Sequence, residues 1–136
     1  MKVAYISTPH LADCDIPLIG ELQKRIDLFY FLKVSDWTKR LTLIKIESLN
    51  KRGGVYPASV FPELTYLSND IDLSKTYIVN LPGKHDWSIS NLLAILRMVC
   101  VILHLKINIV HLTWPPRYGE FFTYLLRKRI VITMHD

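Results

Sequence analysis

Four of the chain's five histidines follow or close runs of apolar, β-prone residues. Val3–Ser7 leads into Thr8-Pro9-His10, and Thr76–Leu81 into Pro82-Gly83-Lys84-His85-Asp86. Ile107–Leu112 carries His111 and runs into Thr113, and Ile130–Met134 ends at His135-Asp136. Imidazole titrates near neutrality, so a row of histidines at strand ends suits proton transfer. A single histidine at such a place is more often a hydrogen-bonded structural residue, so the pattern argues for the rim as a whole. Metal binding is not expected: no H-x-x-x-H or C-x-x-C pair occurs, and Cys14 and Cys100 lack ligand spacing. Cys14 has no neighbouring base and is not expected to be a nucleophile. Residues 7–15 contain no glycine, and both the dinucleotide fingerprint and the P-loop are absent. A dehydrogenase or nucleoside triphosphatase is therefore disfavoured. Pro82-Gly83-Lys84 reads better as a plain turn with a solvated lysine than as an anion site.

Five strand-like runs and the helices between them must position this rim. A helix after the first strand is expected to be capped by Asp13 or Asp15, with Pro17 in its first turn and Leu18, Leu22 and Ile26 on one face. Ile26–Val34 reads as the second strand. Residues 35–75 read as an irregular segment, either a substrate-specific excursion or a packed connection, with a further strand about 42–47 and breaks at Pro57 and Pro62. A mostly apolar helix, capped by Asp86 or Ser88, spans about 88–105, with Ser90, Arg97 and His104 as its polar stripe and Cys100 as a free thiol or plain core. Its longest uncharged apolar run, Met98–Leu103, is far short of the roughly 20 residues a membrane span needs. An all-round apolar helix is expected between the sheet and something else: a partner, a membrane surface or further chain. A last helix is expected over 118–127, with Phe121, Phe122, Leu125 and Leu126 inward. Alternation of strands and helices predicts one α/β domain over residues 1–136, an open Rossmann-like parallel sheet with helices on both faces.

Composition agrees. Half of the 136 residues are apolar and 21% are charged, which supports a packed core and argues against disorder. Two cysteines are too few for a disulfide scaffold, and no secretory leader pattern is present. The net charge of +5 is spread over scattered Lys/Arg pairs without an arginine-rich arm or nucleic-acid motif, so no nucleic-acid partner is expected. A receiver domain would need an acidic pair after the first strand, and a flavodoxin a phosphate loop. Neither is present.

The opening Lys2–Ser7, the strand Ile107–Leu112 and the closing Ile130–Asp136 resemble the N-terminal half of retaining, nucleotide-sugar-dependent glycosyltransferases of the GT-B type. In that family a strand of the form D-h-V-H-h-H, with h apolar, precedes by one helix a strand ending T-h-H-D. The likeness runs through most of the chain in order and spacing and is weakest between 35 and 75. It implies a two-domain transferase whose acceptor-binding half is this chain and whose nucleotide-sugar-binding half is missing here, so that the chain looks like a fragment or one product of a split gene. Alone it is expected to be inactive. The alternative is a standalone binding module or the membrane-side subunit of a two-chain transferase. The candidate cleft rim comprises His10 and His85, from the strand-end pattern, together with His111, Thr113, His135 and Asp136, which the resemblance matches. His111 matches the first histidine of the family strand, and Thr113 stands where the second would be, which removes that residue's proton chemistry. The resemblance further implies no cofactor beyond the donor nucleotide sugar, a saccharide or lipid-linked acceptor as in cell-surface polysaccharide synthesis, and a cytoplasmic location. Contact with the inner membrane face through helix 88–105 and the basic pairs is a further implication, and a sandwiched core helix is the plainer reading. Apolar surface facing the missing half is expected to drive some self-association.

Overall fold

A computed structural model of the chain describes residues 1–35, 44, 46–49, 52–85, 87–113 and 129–133, with the side chains of Pro9 and His10 outside that description. The two central strands, β1 (Lys2–Ser7) and β2 (Asp27–Ser35), are almost continuously apolar. This is the signature of parallel strands covered on both faces. They pair in parallel, as do β2 with β4 (Thr76–Leu81), β1 with β5 (Ile109–Leu112), and β5 with β6 (Arg129–Ile132). The expectation of a wholly parallel sheet needs one correction. β3 (Gly54–Pro57) lies antiparallel on the outer edge of β4, giving the order β3-β4-β2-β1-β5-β6. Pro57 closes β3 because it has no N–H for the ladder, and an edge is where a strand tolerates that.

With β3 set aside, the parallel strands run third-second-first-fourth-fifth in chain order. That is the doubly wound Rossmann order, and its direction reverses between β1 and β5. Right-handed crossovers then place the two helices on opposite faces. α1 (Pro9–Arg25) packs Ala12, Ile16 and Ile19 on Tyr5, Tyr30 and Leu32, while α2 (Ile89–His104) packs Ile95, Met98 and Ile102 on Ala4, Ile6, Phe31 and Val110.

α1 begins earlier than expected. Thr8 is its N-cap and Pro9 its first residue, where a missing N–H costs nothing and the fixed φ favours entry. Neither Asp13 nor Asp15 caps it. Pro17 sits inside the helix on its exposed side, and Asp15 is turned inward. α2 starts as read, with the Ser88 hydroxyl accepting from the Asn91 amide. It ends at Leu105 with Lys106 in the left-handed region (φ 56°), the Lys106 amide bonded to the Leu103 carbonyl and the Ile107 amide to the Ile102 carbonyl. This paired closure turns the chain into β5. The expected single polar stripe is wrong for α2: Ile89, Leu93, Leu96 and Leu103 are exposed as well, and Cys100 is on the surface rather than in the core.

In the segment 35–75, the described Ile44 and Ile46 are buried but lie outside any strand. Three 3₁₀ turns, Ala58–Val60, Pro62–Asn69 and Leu73–Lys75, carry Phe61, Leu64, Leu67 and Ile71 into the α1-side core. These described residues of the segment are thus packed on the core. A Cβ on Gly20 of α1 would collide with the Asp70 carbonyl, so glycine permits that close approach. The helix expected over 118–127 lies outside the described residues. Among the described residues no helix is long and apolar enough to cross a membrane.

Candidate functional site

In doubly wound sheets the ligand crevice opens beyond the carboxyl ends of the strands, where the strand order reverses. Here that point lies between β1 and β5. The register sets Tyr5 beside His111 and Ile6 beside Leu112. Strand alternation turns Tyr5 and His111 to the α1 side, where their rings meet edge to face at 4.5 Å between centroids. The Tyr5 hydroxyl donates to Asp15 Oδ1 at 3.2 Å, and Asp15 is buried on the inner side of α1. On the other flank His111 Nε2 lies 2.7 Å from the Thr133 hydroxyl, just past β6. The Thr133 amide continues the ladder by donating to the Leu112 carbonyl. Deeper in the same face the Ser7 and Tyr30 hydroxyls share a hydrogen bond of 2.7 Å.

The half-buried imidazole is therefore held between a phenol ring and an exposed hydroxyl, at an edge that solvent reaches. Burial raises the Tyr5 pKa well above the usual phenol range, and the Asp15 charge and hydrogen bond push it further. Burial does the same to Tyr30, against a smaller opposing effect of the Ser7 hydrogen bond. Both phenols stay neutral through the physiological range.

The structure brings some of the sequence-predicted rim together and leaves the rest apart. His111 and Thr113 are both on β5 or directly after it. Thr113 is 1% exposed, and its amide and hydroxyl both donate to the Ile6 carbonyl, so it ties β5 to β1 beneath the rim. His85 is exposed in the turn after β4, which two strands separate from β5, about 14 Å in strand spacings. Its carbonyl accepts from the Asn91 side chain, which also bonds both backbone groups of Gly83 and so fixes the turn. His10 is the second residue of α1, at the crevice mouth. His135 and Asp136 lie outside the described residues.

Sequence reading missed Tyr5, Ser7, Asp15, Tyr30 and Thr133. A signal existed for Asp15, which interrupts the inward stripe Ala12, Ile16, Ile19 at helical spacing. A buried tyrosine in a strand likewise needs a partner for its hydroxyl. An open hollow of about 560 Å³ lies at the opposite, amino end of the strands, lined by Gly20, Gln23, Asp70 and Asp72 among others. Its Gln23 is committed to the Leu28 carbonyl and the Asp72 amide. Among the described residues no three His, Cys, Asp or Glu side chains converge as metal ligands.

Fold and crevice define an α/β domain of doubly wound, Rossmann-like order. Comparison with protein-family models, with curated protein sequences and with solved structures gives no match.

Proposed function

We propose that the chain forms the acceptor-side wall of a sugar-transfer cleft of the GT-B kind that its sequence resembles. The observation that carries this reading is the placement of His111, held by Tyr5 and Thr133, where the strand order reverses. The half-buried His111 imidazole and the exposed Thr133 hydroxyl are groups that can meet a polyhydroxy ligand, and the buried Tyr5, Asp15, Ser7 and Tyr30 support them from beneath. His111 is the residue that meets an acceptor hydroxyl and can receive its proton. The resemblance adds His135 and Asp136 to the rim, His10 lies at the start of α1, and His85 stands apart. The donor diphosphate belongs to the other wall. In doubly wound folds it would seat on the first helix's amide groups, but α1 opens with Thr8-Pro9, without glycine and with its first N–H missing. One wall cannot hold a donor sugar against an acceptor, so the second wall must come from further chain or a partner subunit.

Calorimetry with maltose, cellobiose and UDP-glucose tests the reading. The expected result is millimolar binding of a disaccharide. His111→Ala weakens it at least about tenfold, His85→Ala leaves it unchanged, and UDP-glucose does not bind. Tighter binding of UDP-glucose than of either disaccharide, or indifference to His111→Ala, contradicts it. So does sugar transfer by the pure chain above a no-enzyme control.

A further inference from the structure

The His111 imidazole has two ring nitrogens, and Nε2 is already engaged, 2.7 Å from the Thr133 hydroxyl. A neutral imidazole nitrogen carries either one lone pair or one hydrogen, so it makes a single hydrogen bond. With Thr133 in place, Nε2 cannot also bond a ligand hydroxyl. A threonine hydroxyl has one hydrogen and two lone pairs, so Thr133 Oγ1 keeps capacity for a second partner. Thr133 is exposed whereas His111 is half-buried, so of the two it is the hydroxyl that solvent reaches more readily. Thr133 follows β6 directly and stands at the carboxyl ends of the strands, where a doubly wound sheet takes its ligand. Its position is fixed. The Thr133 amide donates to the Leu112 carbonyl at 2.9 Å, and a β-branched side chain has few rotamers. Tyr5 does not compete for the imidazole nitrogens, because its hydroxyl donates to Asp15 and it meets His111 with its ring.

We propose that Thr133 is the residue that touches the acceptor, and that its hydroxyl passes the acceptor's proton to His111. Thr133 Oγ1 donates to the Nε2 lone pair, which makes His111 the Nδ1–H tautomer. The acceptor hydroxyl donates to a lone pair of Thr133 Oγ1. As the acceptor oxygen gives its proton to Oγ1, the proton already on Oγ1 moves to Nε2. One O–H bond breaks at the acceptor and one at Thr133, while a new O–H bond forms at Oγ1 and an N–H bond at Nε2. Thr133 is neutral before and after, the imidazole ends with the positive charge, and the acceptor oxygen is left as the nucleophile. The opposite tautomer, with Nε2–H donating to Oγ1, has no lone pair at Nε2 and closes this path. Direct contact between the acceptor and Nε2 requires the Thr133 hydroxyl to give up its bond first. The inference rests on the sugar-cleft reading for the nature of the ligand and sharpens its contact: the proton of the acceptor hydroxyl reaches His111 through Thr133.

Long-range proton–nitrogen NMR spectra of the free chain read the tautomer without any sugar. His111 is expected as the Nδ1–H form, with Nε2 unprotonated. Thr133→Val keeps the shape and loses the hydroxyl. It is expected to shift His111 toward the Nε2–H form at an unchanged circular-dichroism spectrum, whereas Thr133→Ser keeps the wild-type tautomer. Calorimetry with maltose and cellobiose reads the contact itself. Thr133→Val is expected to weaken disaccharide binding at least about tenfold, and Thr133→Ser by less than about threefold. Because His111 acts through Thr133, adding His111→Ala to Thr133→Val is expected to cost little more, where independent contacts would multiply to about a hundredfold. An Nε2–H tautomer in the wild-type chain overturns the proposal. So does undiminished binding by Thr133→Val, and so do losses that multiply in the double variant. A chain that binds neither disaccharide, with spectra as expected, removes the sugar reading and still supports donation from Thr133 to Nε2.

Discussion

The two faces of the sheet are filled by different chemistry. On the α2 side Ala4, Ile6, Phe29, Phe31 and Val79 meet Ile95, Met98 and Ile102, all of them apolar. On the α1 side the same strands present Tyr5, Ser7 and Tyr30, and the covering helix presents Asp15. Buried polar groups weaken a core unless they are hydrogen-bonded, and they fix geometry when they are. The α2 face therefore supplies cohesion, and its helix keeps apolar side chains on the outside as well. The α1 face gives up some cohesion to hold a phenol, a carboxylate and an imidazole in register at the crevice. Function is accordingly expected on the α1 face.

The largest expected effect lies on the apolar face. Phe31 is fully buried and stacked on Tyr77 at 5.1 Å, so Phe31→Ala should cost roughly 3–5 kcal/mol in urea unfolding. Leu93→Ala, on the outer side of the helix covering that core, should cost under about 1 kcal/mol in the dilute monomer. Equal losses would remove the distinction between the inner and outer sides of α2.

On the polar face, Tyr5→Phe keeps the ring on His111 and removes the donor to Asp15, an expected loss of about 1–3 kcal/mol. The same phenol makes stability depend on alkaline pH. Its pKa is raised on folding, so above the ordinary value near 10 the unfolded chain binds fewer protons than the folded one. The phenol's contribution is constant below about pH 10 and is lost as pH rises beyond it. Tyr5→Phe should flatten part of that decline, with Tyr30 retaining the rest. An alkaline limb identical in the two proteins would contradict the buried phenol–carboxylate pair.

Lys106 separates the faces in another way, because its left-handed backbone turns α2 into the strand that carries His111. Lys106→Gly should relieve that strain and raise stability by about 1 kcal/mol, read as an increase in Tm. A loss would show that the lysine side chain contributes more than its backbone costs. The smallest effect is at the surface pair Lys75–Asp27, 2.8 Å apart, which ties β4 to β2 at their amino ends. The Lys75 hydrogen bond holds the Asp27 carboxyl below its usual range. The pair's contribution is present above the ordinary carboxylate pKa and is lost as pH falls through the lower folded value. Asp27→Asn should change stability by less than about 1 kcal/mol near neutrality.

Much of the fold was legible because β1, β2, β4 and α2 carry patterns that one period explains. Val3–Ser7 and Thr76–Leu81 read as strands and are strands, and Ser88 caps the helix as its side chain suggests. The edge strand β3 was hidden because Gly54–Pro57 is four residues long and shows no strand period. α1 was misplaced because Pro17 looked like a first-turn proline, although Thr8-Pro9 offered the same signal eight residues earlier. Of the site, His111 was legible from its strand end. Asp15 was taken for a cap because a single acid near a helix start has two uses, and only tertiary packing on Tyr5 chooses between them. Thr133 was missed because its role depends on a register across two strands that no local pattern encodes.

The most direct test of the account is amide and imidazole chemical-shift mapping of the chain titrated with a disaccharide. The account predicts that the largest shifts fall on Ser7, His111 and Thr133, with the Leu93–Leu103 row of α2 unmoved. Shifts confined to the Gly20–Asp70 hollow, or none at saturating sugar, would contradict the assignment of the β1–β5 crevice as the acceptor site.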